Sequence, residues 1–231
     1  MKNTICLLIL ALCIAATGLC TATAVSIEND VNVGDIIHFG GIDWLVLDIQ
    51  DGKALIMSER ILEYRAYNEA WEKNITWEVC TLRQHLNGSF YQTQFSNDEQ
   101  ARIVETVNTN PDNPWYAKGK GGKDTRDKVF LLSPYELVQY FGNSGQIELA
   151  NRPANWSQSD GILDDEFNSM RITKDNDGKA CFWWLRSAGD SNGGAVQVNS
   201  WGSIIIGGGS VHNNDEVGIR PALWINLETE H

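Results

Sequence analysis

Cys181-Phe182-Trp183-Trp184-Leu185-Arg186-Ser187 and Gly218-Ile219-Arg220-Pro221-Ala222-Leu223-Trp224 bracket the stretch that decides the fold of this 231-residue chain. Between these apolar ends, Ser187 to Asn214 carries seven Gly, five Ser and four Asn. Bulky β-forming walls around small polar residues are the pattern of a framework that displays a variable surface. The walls predict strands at Phe182 to Leu185 and Ile219 to Leu227. Within the tract, β-branched runs predict strands at Ala195 to Val198 and Ser203 to Ile206. Asn199-Ser200-Trp201-Gly202 is the turn that joins those two.

Upstream, Ile36 to Phe39, Trp44 to Ile49 and Ala54 to Met57 read as strands, with Asp51-Gly52 as a tight hairpin signal. They predict an N-terminal β-meander. From Thr76 the spacing turns helical, with Val79, Leu82, Leu86 and Phe90 three and four residues apart. Ser96-Asn97-Asp98-Glu99 is a capping box that opens a second helix to about Glu105. Asn108 to Asp127 reads as a long loop, and Lys128 to Leu132 as a buried strand. Ser133-Pro134-Tyr135-Glu136 joins a capping box to a first-turn proline and opens a helix to Phe141. Leu163 to Met170 is a further amphipathic segment in a loop-rich region. Strands, two to four short helices, then strands again, with little βαβ alternation, predict an α+β fold of mainly antiparallel strands.

Residues 1–24 read as a signal peptide. Lys2 supplies the positive start, Ile5 to Ala16 the apolar run, and Ala22-Thr23-Ala24 the cleavage site. Lipidation at Cys20 is the alternative. The apolar run is short for a membrane span, so the expectation is a secreted or cell-surface protein, without stable membrane insertion after cleavage. Residues 25–231 then form a single domain with room for one core. A net charge of −12 argues against nucleic acid as a partner. Two cysteines lie beyond the leader, Cys80 and Cys181. A disulfide between them and two thiols buried in apolar surroundings both remain open.

The two C-terminal motifs resemble a family of exported and surface proteins of bacteria, which carry a domain of unknown function marked by W-W-L-R-S-P-G and G-V-R-P-A-L-W. Gly34 to Ile37, Thr76 to Arg83 and Asp127 to Ser133 extend the resemblance over the mature chain. Ala188 stands where the family has proline. The family is distantly similar to formylglycine-generating enzymes and the wider C-type-lectin-like fold. That resemblance implies a C-type-lectin-like domain in which Gly218-Ile219-Arg220 locks the core. It implies neither activity nor ligand.

The chemistry legible in the residues is sparse. His38 has Asp35 nearby, His85 falls on the exposed side of the first helix, and no G-x-S-x-G or H-E-x-x-H occurs. Nucleophilic catalysis therefore has no support in the sequence. A second cysteine near Cys181, which formylglycine-generating chemistry requires, is missing. Asp175-Asn176-Asp177-Gly178 and Asp160 to Glu166 offer oxygen ligands for calcium, but neither completes a calcium loop. The expectation is no cofactor, with a solvated turn as the plainer reading of those acids.

Nine tryptophans say more. Trp44 and Trp224 fit core positions, and alternation places one of Trp183 and Trp184 inward and one outward. Trp71, Trp115, Trp156 and Trp201 fall in polar loops, as binding tryptophans do. Loop anchors tucked onto the core are the other reading. The expected function is non-enzymatic recognition of a protein or glycan. Its candidate contacts are Trp201, Asn199, Ser200, Asn192, Asn213, Asn214 and Trp115, with the Asn108 to Gly122 loop alongside. In some lectin-like proteins, positions before the closing motif are diversified, and the 187–214 tract suits that. The alternatives are a glycan- or cell-wall-active enzyme with unidentified carboxylates, or a structural accessory domain. Arg186 and Arg220 are expected to hold the framework.

Overall fold

The computed structural model describes residues 31–70, 72, 74–143, 145–148, 161–212 and 216–227. The expected leader, Trp71, Trp156, Asn213 and Asn214 lie outside the described residues. In chain order the strands are β1 (Ile36–Phe39), β2 (Ile42–Gln50), β3 (Lys53–Ser58), β4 (Glu63–Tyr64), β5 (Ile103–Val104), β6 (Thr106–Asn108), β7 (Thr125–Asp127), β8 (Ile162–Leu163), β9 (Phe182–Ala188), β10 (Gly194–Val198), β11 (Ile204–Ser210), β12 (Val217–Ile219) and β13 (Ala222–Asn226). The helices are α1 (Thr81–His85), α2 (Tyr91–Gln94), α3 (Asn97–Arg102), α4 (Pro134–Tyr140) and α5 (Asn168–Arg171), with a π-helical turn, Leu86–Phe90, between α1 and α2.

The fold is α+β, and among the described residues every ladder except β9 with β12 is antiparallel. The meander β1-β2-β3 forms as expected. Asp51 and Gly52 both take left-handed conformations, φ 49° and 72°, the geometry of a two-residue hairpin turn. Trp44 is buried, its indole N–H donating to the Phe39 carbonyl at 2.8 Å. The C-terminal β13 then slots beside β3 and gives a five-stranded sheet in the order β1-β2-β3-β13-β5. The second sheet runs β4-β12-β9-β10-β11-β8, and β6 pairs with β7.

The last strand is not continuous. It divides at Arg220-Pro221, and the chain passes from the six-stranded sheet to the five-stranded one. Proline has no N–H to continue a ladder. Its carbonyl accepts from Ser58 N at 2.9 Å, while Arg220 Nε donates to Ser58 O at 2.7 Å. Gly218 is required by packing, since a Cβ there would sit 2.4 Å from Ile61 Cγ2. Arg220 and Pro221 thus hold the crossing between sheets, and Gly218 gives Ile61 the room to pack beside it.

The expected inward and outward split of Trp183 and Trp184 does not occur: both are 0 % exposed. β9 lies between β12 and β10 and is covered on both faces. Trp184 packs edge-on against Tyr67 and donates to Arg65 O at 2.8 Å. Trp183 lies under the Arg220 guanidinium and donates to Arg171 O at 3.2 Å.

Helices differ from the periodicity in number and extent. The single helix expected over Thr76 to Phe90 begins only at Thr81 and divides into α1, the π turn and α2. Gly88, at φ −108° and ψ −105°, leaves helical geometry inside that turn. Both capping boxes form as expected, Ser96 with Glu99 and Ser133 with Glu136. α3 stops at Arg102 because Ile103 and Val104 pair with β13. Residues 129–132 are buried and Lys128 is half-buried, but the run makes only one bridge, Phe130 with Ala222, and is not a strand.

Candidate functional site

The motif ends are framework. The Arg186 guanidinium is buried, donating to Leu131 O at 2.9 Å, Thr109 O at 3.2 Å and the Glu136 carboxylate. Arg220 is buried over the rings of Phe141 and Trp183, and burial draws its pKa down to about 10. Both arginines hold the structure together, as expected of them.

Most of the small-residue tract is close packing rather than display. A Cβ on Gly189 would stand 2.4 Å from Gly207 O, and one on Gly208 would stand 2.5 Å from Ala195 O. On Gly119 it would meet Gly189 O at 2.1 Å. The glycines therefore let backbones of β9, β10, β11 and the 108–122 loop approach one another. That loop is tied down further. Asn113 Nδ2 donates to Ala188 O, Gly189 O and Ile206 O at 2.8 to 3.0 Å. Asn192 accepts from Lys120 N at 3.0 Å and donates to Lys120 O and Ile75 O, so its amide is spent on the loop. Trp115 is 4 % exposed and belongs to the core. For Trp115 and Asn192 the anchoring role is the one the geometry gives.

The turn between β10 and β11 is different. Asn199 Oδ1 accepts from Trp201 N at 2.9 Å and Ser203 N at 3.0 Å, closing the turn from inside. Asn199 is itself buried. Gly202, at φ +85°, lies so close to α5 that a Cβ would reach Asn168 O at 1.8 Å. Arg171 Nε donates to Gly202 O at 2.8 Å. With its flanks fixed on both sides, Trp201 points out and is 75 % exposed. Ser200 is half-buried beside it. Met170, 53 % exposed, lies on the helix against which the turn is seated. Of the expected contacts among the described residues, the structure leaves Trp201, with Ser200 beside it, on a surface.

A second constellation was not legible in the sequence. His85 ends α1 and is only 18 % exposed in its side chain, not turned to solvent. Its Nε2 lies 2.6 Å from Glu63 Oε1, and its Nδ1 lies 3.0 Å from Ser89 Oγ. Glu63 comes from β4, twenty-two residues earlier, so no local motif announces the pair. The three side chains line a groove of about 390 Å³ with Ile42, Leu62 and Phe90. His38 contacts Asp43 at 2.8 Å rather than Asp35, and is exposed.

The cysteines do not pair. Cys80 is a buried thiol at the head of α1, accepting from Arg83 N, and burial pushes its pKa up to about 12. Cys181 is free as well, but its surroundings are polar: Tyr64 OH lies 2.7 Å away, and Lys179 O 3.0 Å. Burial, then the bonds to Cys181 and Asp175, holds the Tyr64 phenol above its ordinary range. Asp175 also closes its own turn, accepting from Asp177 N at 3.0 Å and Lys179 N at 2.9 Å. Among the described residues no three His, Cys, Asp or Glu side chains are grouped to hold a metal. No helix among them is long and apolar enough to cross a membrane.

Neither a curated protein nor a solved structure matches the chain. A family model does match, over residues 51–227, from the Asp51-Gly52 turn to the end of β13 and through both tryptophan-bearing motifs. On that match, which covers well over half its length, the chain belongs to the family described as a domain of unknown function, DUF6273.

Proposed function

We propose that this protein is an exported recognition domain on a C-type-lectin-like core, binding a protein or glycan at or outside the cell surface through the Trp201 turn. One observation carries the reading. A large indole stands 75 % exposed on a turn whose backbone is fixed by Asn199, Gly202 and Arg171. Tryptophan is enriched among the residues that carry most of the energy of binding surfaces. A rigid aromatic loses little entropy when it is covered, which favours affinity.

The closing strand supports the core assignment. β13 returns to lie beside β3, so the two ends of the domain meet in one sheet, and Arg220 locks the crossing just before it. The export reading rests on the leader-like residues 1–24. The acidic balance, −12 overall, disfavours polyanionic ligands and leaves neutral glycans and proteins.

The test is a glycan array and a surface-protein pull-down with wild type and Trp201→Ala, each checked by thermal melting. Binding that disappears in Trp201→Ala at unchanged Tm supports the reading. Equal binding by both proteins sinks it.

A further inference from the structure

The groove beside β4 holds a set of groups that the recognition reading does not use. Ser89 Oγ, His85 and Glu63 stand in series at 3.0 Å and 2.6 Å, within hydrogen-bond reach at each step. Glu63 accepts at Nε2, which places the ring proton there and leaves the Nδ1 lone pair facing the serine hydroxyl. The other Glu63 oxygen lies 3.5 Å from Arg65 Nη2, which fixes the carboxylate from behind. Ser89 lies in the π turn just after Gly88, and Thr93 Oγ1 donates to its carbonyl at 2.8 Å, holding that turn.

Ser89 is exposed, as a nucleophile must be, the His85 ring is mostly covered, and Glu63 meets its other nitrogen from a partly covered position. Nucleophile, base and orienting acid are the three parts of a covalent acyl-transfer site, recognised by geometry rather than by position in sequence. A structural ion pair would need no serine on the far nitrogen and no groove in front of it.

We propose that Ser89, His85 and Glu63 form an acyl-transfer site that hydrolyses a carboxylic ester with a small apolar acyl group. Ser89 Oγ attacks the acyl carbon as its proton passes to His85 Nδ1. The C–O bond to the alcohol breaks, and His85 returns that proton to the leaving alkoxide. Water then attacks the acyl-serine, giving its proton to His85. The acid leaves as the proton goes back to Ser89, so ester and water become acid and alcohol. Ile42, Leu62 and Phe90 give the acyl group an apolar seat in a groove of about 390 Å³. Gln94, in the same lining, donates one amide hydrogen to Gly40 O at 2.6 Å and keeps a second for the charge developing on the carbonyl oxygen. Ser89 and His85 are the catalytic residues, and Glu63 is a positioning residue.

The site lies at the β4 edge of the six-stranded sheet, away from the β10–β11 turn that carries Trp201. It therefore stands or falls independently of the recognition reading.

The experiment is to treat the purified protein with a fluorophosphonate and to follow hydrolysis of p-nitrophenyl acetate, butyrate and octanoate. Phosphonylation found at Ser89 by peptide mass is expected, with ester hydrolysis falling at least about 100-fold in Ser89→Ala and His85→Gln at unchanged Tm. Ser89→Cys keeps a nucleophile and should be alkylated at position 89 faster than a denatured control. In Glu63→Gln the rate should fall through kcat with KM little changed, and Glu63→Asp should restore part of it. No label at Ser89, or hydrolysis that survives Ser89→Ala within twofold, overturns the proposal.

Discussion

Arg186 Nη2 donates to Glu136 Oε1 at 3.0 Å, while Oε2 of the same carboxylate accepts from Ser133 N at 2.7 Å and Ser133 Oγ at 2.9 Å. One carboxylate therefore caps α4 and neutralises the buried arginine of the tryptophan-rich motif. Removing Arg186 strands Leu131 O and Thr109 O as well as Glu136. Arg186→Ala should cost about 3 kcal/mol or more, as for other broken buried pairs. Glu136→Gln keeps much of the cap and should cost roughly half of that. Urea denaturation of the two variants checks the order, and a milder effect for Arg186→Ala would refute this account of the motif.

What could be read ahead of the structure was whatever is local. Both capping boxes, the Asp51-Gly52 hairpin and the Asn199 to Gly202 turn are written in three or four neighbouring residues, and all form. Trp183 and Trp184 were misjudged because alternation assumes one wet face, whereas β9 is covered by Tyr67 on one side and Arg220 on the other. The small-residue tract reads as display, but the glycines at 189 and 208 are close backbone packing, a property of strands paired across the tract. The spacing puts His85 in a helix correctly, but on its exposed side, whereas the side chain is mostly covered. Its partner Glu63 arrives through β4, and sequence periodicity carries no record of that edge strand.

Cys80 should be inert in the folded protein. Its thiol is buried and its pKa is pushed up to about 12, so almost no thiolate exists near neutral pH. Iodoacetamide at pH 8 should leave Cys80 unmodified for as long as the protein stays folded, and react fully in guanidinium. Non-reducing peptide mapping should find no Cys80–Cys181 bridge, since the two thiols are separately placed.

Glu99 gives a pH dependence with a definite sign. Burial works to raise its pKa, but hydrogen bonds from Ser96 and from Gly40 N outweigh that and hold it below the ordinary value. The folded pKa is thus lower than the unfolded one. Its contribution to stability is complete above the unfolded glutamate value, roughly 4.3. It declines as pH falls below that and is gone once pH has passed through the folded value. The gap in Tm between wild type and Glu99→Gln should be open at pH 7 and close between about pH 4.3 and the lower folded value. A gap that is constant with pH would show that the carboxylate's charge is not what Ser96 and Gly40 hold.

Gly52, in the β2–β3 hairpin, and Gly202, in the hairpin that presents Trp201, separate conformational strain from steric conflict. Both have positive φ, 72° and 85°. Around Gly52 nothing lies within 4 Å of a Cβ, whereas at Gly202 the Asn168 carbonyl is 1.8 Å away. Gly52→Ala should therefore cost only the left-handed penalty, about 1 kcal/mol. Gly202→Ala must also push the turn off α5 and lengthen the 2.8 Å bond from Arg171, which should add about 2 kcal/mol or more. Chemical denaturation measures both costs. If the turn must be seated on α5 to hold Trp201 outward, Gly202→Ala should also weaken whatever binding Trp201→Ala abolishes. Gly52→Ala, in the other sheet, should lose stability without losing binding. Equal binding by the two variants would mean that a fixed turn is not what presents the indole.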